Sequence, residues 1–327
     1  MPAVITHYLF ANACADTLAE SGVLTAVRRH GDVFSLGAQG PDILFFAIGN
    51  KAMNQLGGRM HHEGINAFFA ECINRLRKTP EHEGRSELTA YMAGFLCHYA
   101  LDTCAHPYVY YKTGFSDEAG SLSGEPAVRH HFLETTIDCI LSEKTEYKNP
   151  YLLNISEKIS IGAKQRAAAG EFLSETINAA YGVYMYPEDY IKAMKDIAFV
   201  YRALRDRSGK KRQVLHFLGR ASRMVDALAA MIHYEPVKRL DYMNEQRGVW
   251  YYPWDNSIDL NFSFMDLYEK AVEDSRIYIN AFMNAIDRKI DDKIALSILG
   301  GKNFSTGLES PVKFLYYNIE YDKFVKE

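Results

Sequence analysis

The sequence predicts an all-α protein, a bundle of many helices. Three observations lead to it. Segments with helical apolar period recur from Val4 to Lys289. No convincing run of strands, internal repeat or low-complexity tract interrupts them. The stretch Tyr91–Tyr111, YMAGFLCHYALDTCAHPYVYY, sets His98, Asp102 and His106 at every fourth residue. At ~100° per residue, these three fall within an arc of ~80° on one helix face. Imidazole and carboxylate are poor choices for a buried face unless something binds them.

Val4 to Glu20 reads as the first helix, with Ile5, Leu9, Ala13 and Leu18 near one side and Gly22 past its end. Taken alone, His7 in its first turns reads as a satisfied core residue. In FSLGAQGPDILFFAI, Gly40 ends a loop and Pro41 suits the first position of a helix. Asp42 then lies in the first turn, where the helix dipole favours a carboxylate. Met60 to Lys78 reads as a helix opening on the pair His61 and His62. Neighbouring side chains diverge by ~100°, so one of the two is expected to reach a shared site.

A polar linker, TPEHEGRS, precedes the helix of His98, and Pro107 is expected to end or kink that helix directly after His106. A Gly/Ser-rich loop, TGFSDEAGSLSGEP, leads to AVRHHFLETTIDCILSEK, where His130 and Glu134 share a face and Asp138 continues it. His131 points away from His130. Beyond lie an amphipathic helix over Pro187–Arg207, a helix over Val214–His233 and a long one over Ser263–Lys289 with a Ser263/Asp266 capping box. Met243–Asn261 is irregular and aromatic, a packed cap over the core.

At 327 residues the chain is expected to form a single all-helical domain over 1–327, with a metal-binding part over 1–145 and a helical C-terminal part over 146–327. The formal net charge of −4 argues against stable nucleic-acid binding, which needs a basic surface. A phosphate-bearing substrate stays open, because bound cations can supply positive charge locally. Five cysteines, an odd number in apolar helical contexts, read as buried free thiols of a reducing compartment. The first residues lack the basic stretch of a signal peptide, and no run reaches ~18 apolar residues, so a cytoplasmic protein is expected.

Nine of the eleven histidines lie at or before position 131. Together with Asp42, Asp102 and Glu134 they make a donor set of imidazole and carboxylate, which suits zinc. His7, Asp42, His61 or His62, His98, Asp102, His106, His130 and Glu134 are too many for one tetrahedral ion. With one carboxylate bridging they would serve two or three. A di-iron carboxylate bundle would want Glu-x-x-His, an HEXXH motif is absent, and so are Gly-rich phosphate loops.

THYLFA, GAQGPDILFF, MHHEG, GFLCHYALDTCAHP and HHFLETTID together resemble the bacterial zinc-dependent phospholipase C family, whose wider superfamily includes the S1/P1-type nucleases. The resemblance covers roughly residues 1–145 and is fainter beyond. It implies an all-α phospholipase C/P1 nuclease-like bundle around a trinuclear zinc cluster. Asp42, one of His61 and His62, His98 and Asp102 would hold one ion, and His106, His130 and Glu134 a second. His7 and a bridging Asp102 would hold a third, which in the family also takes a mature N-terminal Trp. Here the chain starts Met1-Pro2, and removal of Met1 would leave Pro2 five residues before His7.

The activity implied is phosphoester hydrolysis by a metal-activated water, with Asp42 orienting or deprotonating it. The substrate would be a phosphate-ester small molecule or a phospholipid headgroup. Asp138 and whichever of His61 and His62 does not ligate are candidates to orient the ligands. The alternative is a metal-stabilised helical binding protein without catalysis.

Overall fold

The computed structural model describes residues 4–115, 125–145, 149, 150, 152–219, 222–234 and 240–319. The order is α1 (Val4–Asp16), α2 (Gly22–Arg29), α3 (Gly31–Gly37), a 3-10 helix (Gly40–Phe46), α4 (Lys51–His62), α5 (Ile65–Lys78), a short 3-10 turn (Glu81–Glu83) and α6 (Arg85–Thr113). Then come α7 (Glu125–Glu143), α8 (Ile155–Lys158), α9 (Ala163–Tyr181), α10 (Pro187–Leu204), α11 (Lys210–Gly219) and α12 (Arg223–Ala230). A hairpin of β1 (Trp250–Tyr252) and β2 (Asp255–Leu260) precedes α13 (Phe264–Ile286) and α14 (Asp292–Leu299). The fold is all-α, as expected.

α6 is the axis. At 29 residues it spans about 44 Å. It is apolar on every side and buried almost throughout, as a helix enclosed by others must be. α1, α2, α3, α5, α7, α9 and α13 pack around it. One core cluster runs from Val4 to Phe304. Ser21, Asn50, Ser263 and Asp291 cap α2, α4, α13 and α14 by accepting from N–H groups of the first turn. The Ser263/Asp266 capping box is present.

Several boundaries differ from the expectation, each for a local reason. α1 stops at Asp16, where the Thr17 hydroxyl donates to the Cys14 carbonyl at 2.8 Å, and Gly22 opens α2 behind its cap Ser21. The helix expected over Met60–Lys78 is two, broken at Gly64, whose φ of 65° is left-handed. His61 and His62 therefore end α4. α6 runs on through Pro107. Proline cannot bond the Thr103 carbonyl, and Gly307 packs against that oxygen so closely that a Cβ would stand 2.5 Å away. The segment Val214–His233 is also two helices. A Cβ on Gly219 would lie 2.9 Å from Asp226, and the chain folds back so that α11 packs on α12. The aromatic segment holds the β-hairpin, with Trp250 opposite Leu260. Trp250 is buried against Tyr108 and Tyr111, so it caps the core as the sequence suggests.

α3 meets α6 at backbone distance. A Cβ on Gly94 would lie 2.2 Å from the Phe34 carbonyl oxygen, and one on Gly37 would lie 2.1 Å from that of Tyr91. This contact sets α3, and the loop after it, against the face of α6 that carries His98. Gly94→Ala is expected to lower unfolding free energy by about 1–3 kcal/mol through overpacking, measured by urea denaturation. An unchanged midpoint would show that the two helices can separate freely.

Candidate metal centre

α4, α6, α7 and the 3-10 helix over Gly40–Phe46 bring one set of side chains together within the core. Asp42, His61, His98 and Asp102 offer ligand atoms all within 4.8 Å of one another, and so do His106, His130 and Glu134. All seven are buried. His61 Nε2 lies 3.0 Å from Asp42 Oδ1, and His98 Nε2 lies 3.1 Å from Asp102 Oδ2 and 3.7 Å from Asp42 Oδ1. In the second group His130 Nε2 is 2.8 Å and His106 Nε2 3.8 Å from Glu134 Oε1.

His7 stands outside both groups but beside them. Its Nε2 is 3.4 Å from Asp102 Oδ1, and its ring stacks on that of His98 at 4.0 Å between centroids. Asp102 thus shows one oxygen to His98 and the other to His7. His62 diverges from His61, and its Nδ1 lies 3.1 Å from the Asn303 side-chain nitrogen. Met1 and Pro2 lie outside the described residues, as does most of the Gly/Ser-rich loop.

The imidazoles are held in one tautomer. His61 Nδ1–H donates to the Gly57 carbonyl at 2.6 Å, His98 to Ala38 at 3.1 Å and His106 to Phe304 at 2.9 Å. A carbonyl only accepts, so each Nδ1 carries the hydrogen and each Nε2 turns a lone pair inward. For His61 and His98 that lone pair faces a carboxylate oxygen. Acceptor against acceptor at about 3 Å requires a proton or a cation between them. His7 Nδ1 and Nε2, His98 Nε2, His106 Nε2 and both Asp102 oxygens make no hydrogen bond despite their burial. Buried polar atoms rarely go unsatisfied without a reason. This donor set, with its lone pairs converging, fits a metal ion, and its mixture of nitrogen and oxygen suits zinc.

Electrostatics agree. Burial lowers the pKa of His7 and His130 and brings His106 to about 4, so these rings are neutral ligands at neutral pH. Burial pulls His98 down too, but the Asp102 and Asp42 carboxylates outweigh it and hold His98 above its usual value. Burial pushes Asp102 up, and the charges of His106 and His98 more than reverse that, holding it well below the carboxylate range. Asp42 is held low in the same way by His98 and His61.

Sequence reasoning missed the carbonyls that orient the rings, two of which belong to loops. Phe304 lies almost 200 residues after His106, so the centre depends on the C-terminal part of the chain as well as on residues 1–145. Gly40 does more than end a loop. Its φ is 52°, and a Cβ there would lie 2.4 Å from His98 Cδ2. Asp138 acts on the start of a helix rather than on an imidazole of the ligand groups. Its carboxylate accepts from Ile5 N–H at 3.1 Å, Thr6 N–H at 2.6 Å and the Thr6 hydroxyl at 2.6 Å, and His233 Nε2 lies 2.8 Å away. It satisfies the free N–H groups that begin α1 and so fixes His7.

A cleft of about 740 Å³ opens over the centre. His61, His62, His106, His130 and His131 line its floor, with Tyr110 and Ser305 beside them. Phe45, Phe46, Ile48, Val200, Leu228 and Met231 supply apolar walls. His131 thus borders the cleft and also shares a small cavity with Asp42 and Glu134.

The sequence profile of zinc dependent phospholipase C matches residues 6–191. The chain belongs to the zinc-dependent phospholipase C family. The matched stretch begins just before His7 and contains every residue of both ligand groups. It extends past residue 145, where the resemblance legible in the sequence fades, to take in α9 and the start of α10. No curated protein and no solved structure gives a significant match. Zinc is the metal on which this family depends, and no helix among the described residues is long and apolar enough to cross a membrane.

Asp138→Ala strips the anchor from α1 and leaves the Ile5 and Thr6 donors buried. The expected loss is about 3 kcal/mol of stability or more, read by urea unfolding, together with a 10–100-fold drop in zinc affinity, read by competition with a chelator. Unchanged zinc affinity would mean that α1 does not position the centre.

Proposed function

We propose that this chain is a zinc-dependent phosphoester hydrolase, a phospholipase C-like phosphodiesterase working as one unit over its whole length. The observation that carries the reading is the pairing of two buried ligand groups with a cleft that reaches His61, His106 and His130. A purely structural zinc site is closed by four ligands. Here the ligands are more numerous and their edge is open.

We assign Asp42, His61, His98 and Asp102 to one ion and His106, His130 and Glu134 to a second. His7 and the far oxygen of Asp102 are the candidates for a third. Zinc bound there would neutralise the phosphate charge and acidify a water towards pKa ~7. Asp42 is a carboxylate at neutral pH and is the proton acceptor for the attacking water. Ala38, Gly57 and Phe304 hold the imidazoles with their Nε2 atoms inward. The apolar walls exclude bulk water and accept the organic part of the ester.

The test is metal analysis followed by assay on bis(p-nitrophenyl) phosphate. The protein is expected to carry two or three zinc ions per chain, to lose turnover on chelation and to regain it with zinc. Stoichiometric zinc without turnover across a panel of phosphoesters would remove the hydrolase reading and leave the metal centre standing. His61→Ala is expected to lose one ion and at least about 100-fold in activity, whereas His62→Ala keeps its full zinc content. Equal metal loss in both variants would contradict the choice of His61.

A further inference from the structure

α11 is built inside out. Arg212 and His216 turn towards the protein. The Arg212 guanidinium lies 3.9 Å above the Tyr234 ring, and His216 Nδ1 lies 2.9 Å from Asp226 Oδ1 on α12. The apolar side chains turn the other way, with Val214 57%, Phe217 68% and Leu218 50% exposed. At ~100° per residue these three share an arc of ~100°, and Lys210 and Lys211 fall on the same exposed side. A helix on a water-facing surface does the opposite, burying its apolar stripe and showing its charges.

The surroundings are basic. Between Arg202 and Arg212 the chain carries six cations and one acid, in a protein whose net charge is −4. The acid, Asp206, is buried and spends its carboxylate on the N–H groups of Ser208 and Arg212. Its charge is turned into the helix start, and Lys211 Nζ donates to the Ala203 and Arg205 carbonyls, while Arg202, Arg207 and Lys210 face outward. α11 packs on α12, and Leu228 of α12 stands in the wall of the cleft.

We propose that the outer face of α11 is a docking surface for an anionic phospholipid bilayer. Lys210 and Arg207 meet the lipid charges, and Phe217, Leu218 and Val214 insert among the acyl chains just below. Charge selects this occupant over a second copy, because a two-fold contact would set the basic patch against itself. Area selects it over a stable protein partner. Three side chains of this size cannot supply the ~800 Å² per partner that such an interface needs. Docking requires no turnover and is independent of the hydrolase reading.

The test is co-sedimentation of the purified full-length protein with large unilamellar vesicles of phosphatidylglycerol and phosphatidylcholine in equal parts, or of phosphatidylcholine alone. The protein is expected to bind the anionic vesicles at least tenfold more strongly, and to be released by 0.5 M salt. Phe217→Ser/Leu218→Ser should weaken binding at least tenfold. Arg207→Ala/Lys210→Ala should weaken it about 25-fold, at about fivefold per cation. Thermal unfolding and hydrolysis of a soluble phosphodiester should stay as in the unaltered protein, since these side chains lie outside both ligand groups and the cleft. No preference for the anionic vesicles, or binding by both variants as strong as that of the unaltered protein, would overturn the proposal. So would self-association that the Phe217→Ser/Leu218→Ser variant abolishes.

Discussion

Asp102 is the constraint around which the rest is arranged. Its carboxylate is wholly buried in the middle of the most enclosed helix, and neither oxygen accepts a hydrogen bond. An ionised carboxylate in that position is expensive unless positive charge comes to it. The surrounding residues supply the means. His98 stands on one oxygen and His7 on the other, and Asp42 and His61 close the first group. Backbone carbonyls lock the rings so that lone pairs, not hydrogens, face the carboxylates. Such a site is frustrated without a cation and satisfied with one.

Positioning this centre explains features that lie far from it. Gly40 leaves room for the His98 ring, and Gly307 lets the C-terminal loop approach the Thr103 carbonyl that Pro107 cannot bond. The same loop then presents the Phe304 carbonyl to His106 and Ser305 to the cleft. Asp138 fixes α1 through its first N–H groups, and His233 sits on that carboxylate from the segment after α12. Segments after residue 145 therefore help to hold His106 and, through Asp138, the start of α1 that carries His7.

Much of the centre was legible because helical spacing is local. His98, Asp102 and His106, and again His130 and Glu134, are four apart, and that alone places each set on one face. Which of His61 and His62 turns inward was not legible, because it depends on how α4 is rotated against the 3-10 helix on which it packs. Pro107 misled for the opposite reason. Its effect on the helix is local, but the packing that encloses the unbonded Thr103 carbonyl comes from Gly307, two hundred residues on. The roles of Asp138, Ala38 and Phe304 are tertiary contacts with no periodicity to betray them. The split of Val214–His233 into α11 and α12 likewise rests on the return of the chain over Gly219, and the outward apolar face of α11 is visible only once that return is made.

Anomalous diffraction at the zinc edge, from crystals of the full chain grown with zinc, tests the central claim most directly. Separate zinc peaks are predicted inside the Asp42/His61/His98/Asp102 group and inside the His106/His130/Glu134 group, with Asp102 in contact with metal. Crystals in which ordered water alone occupies both groups, with zinc bound elsewhere, would contradict the account.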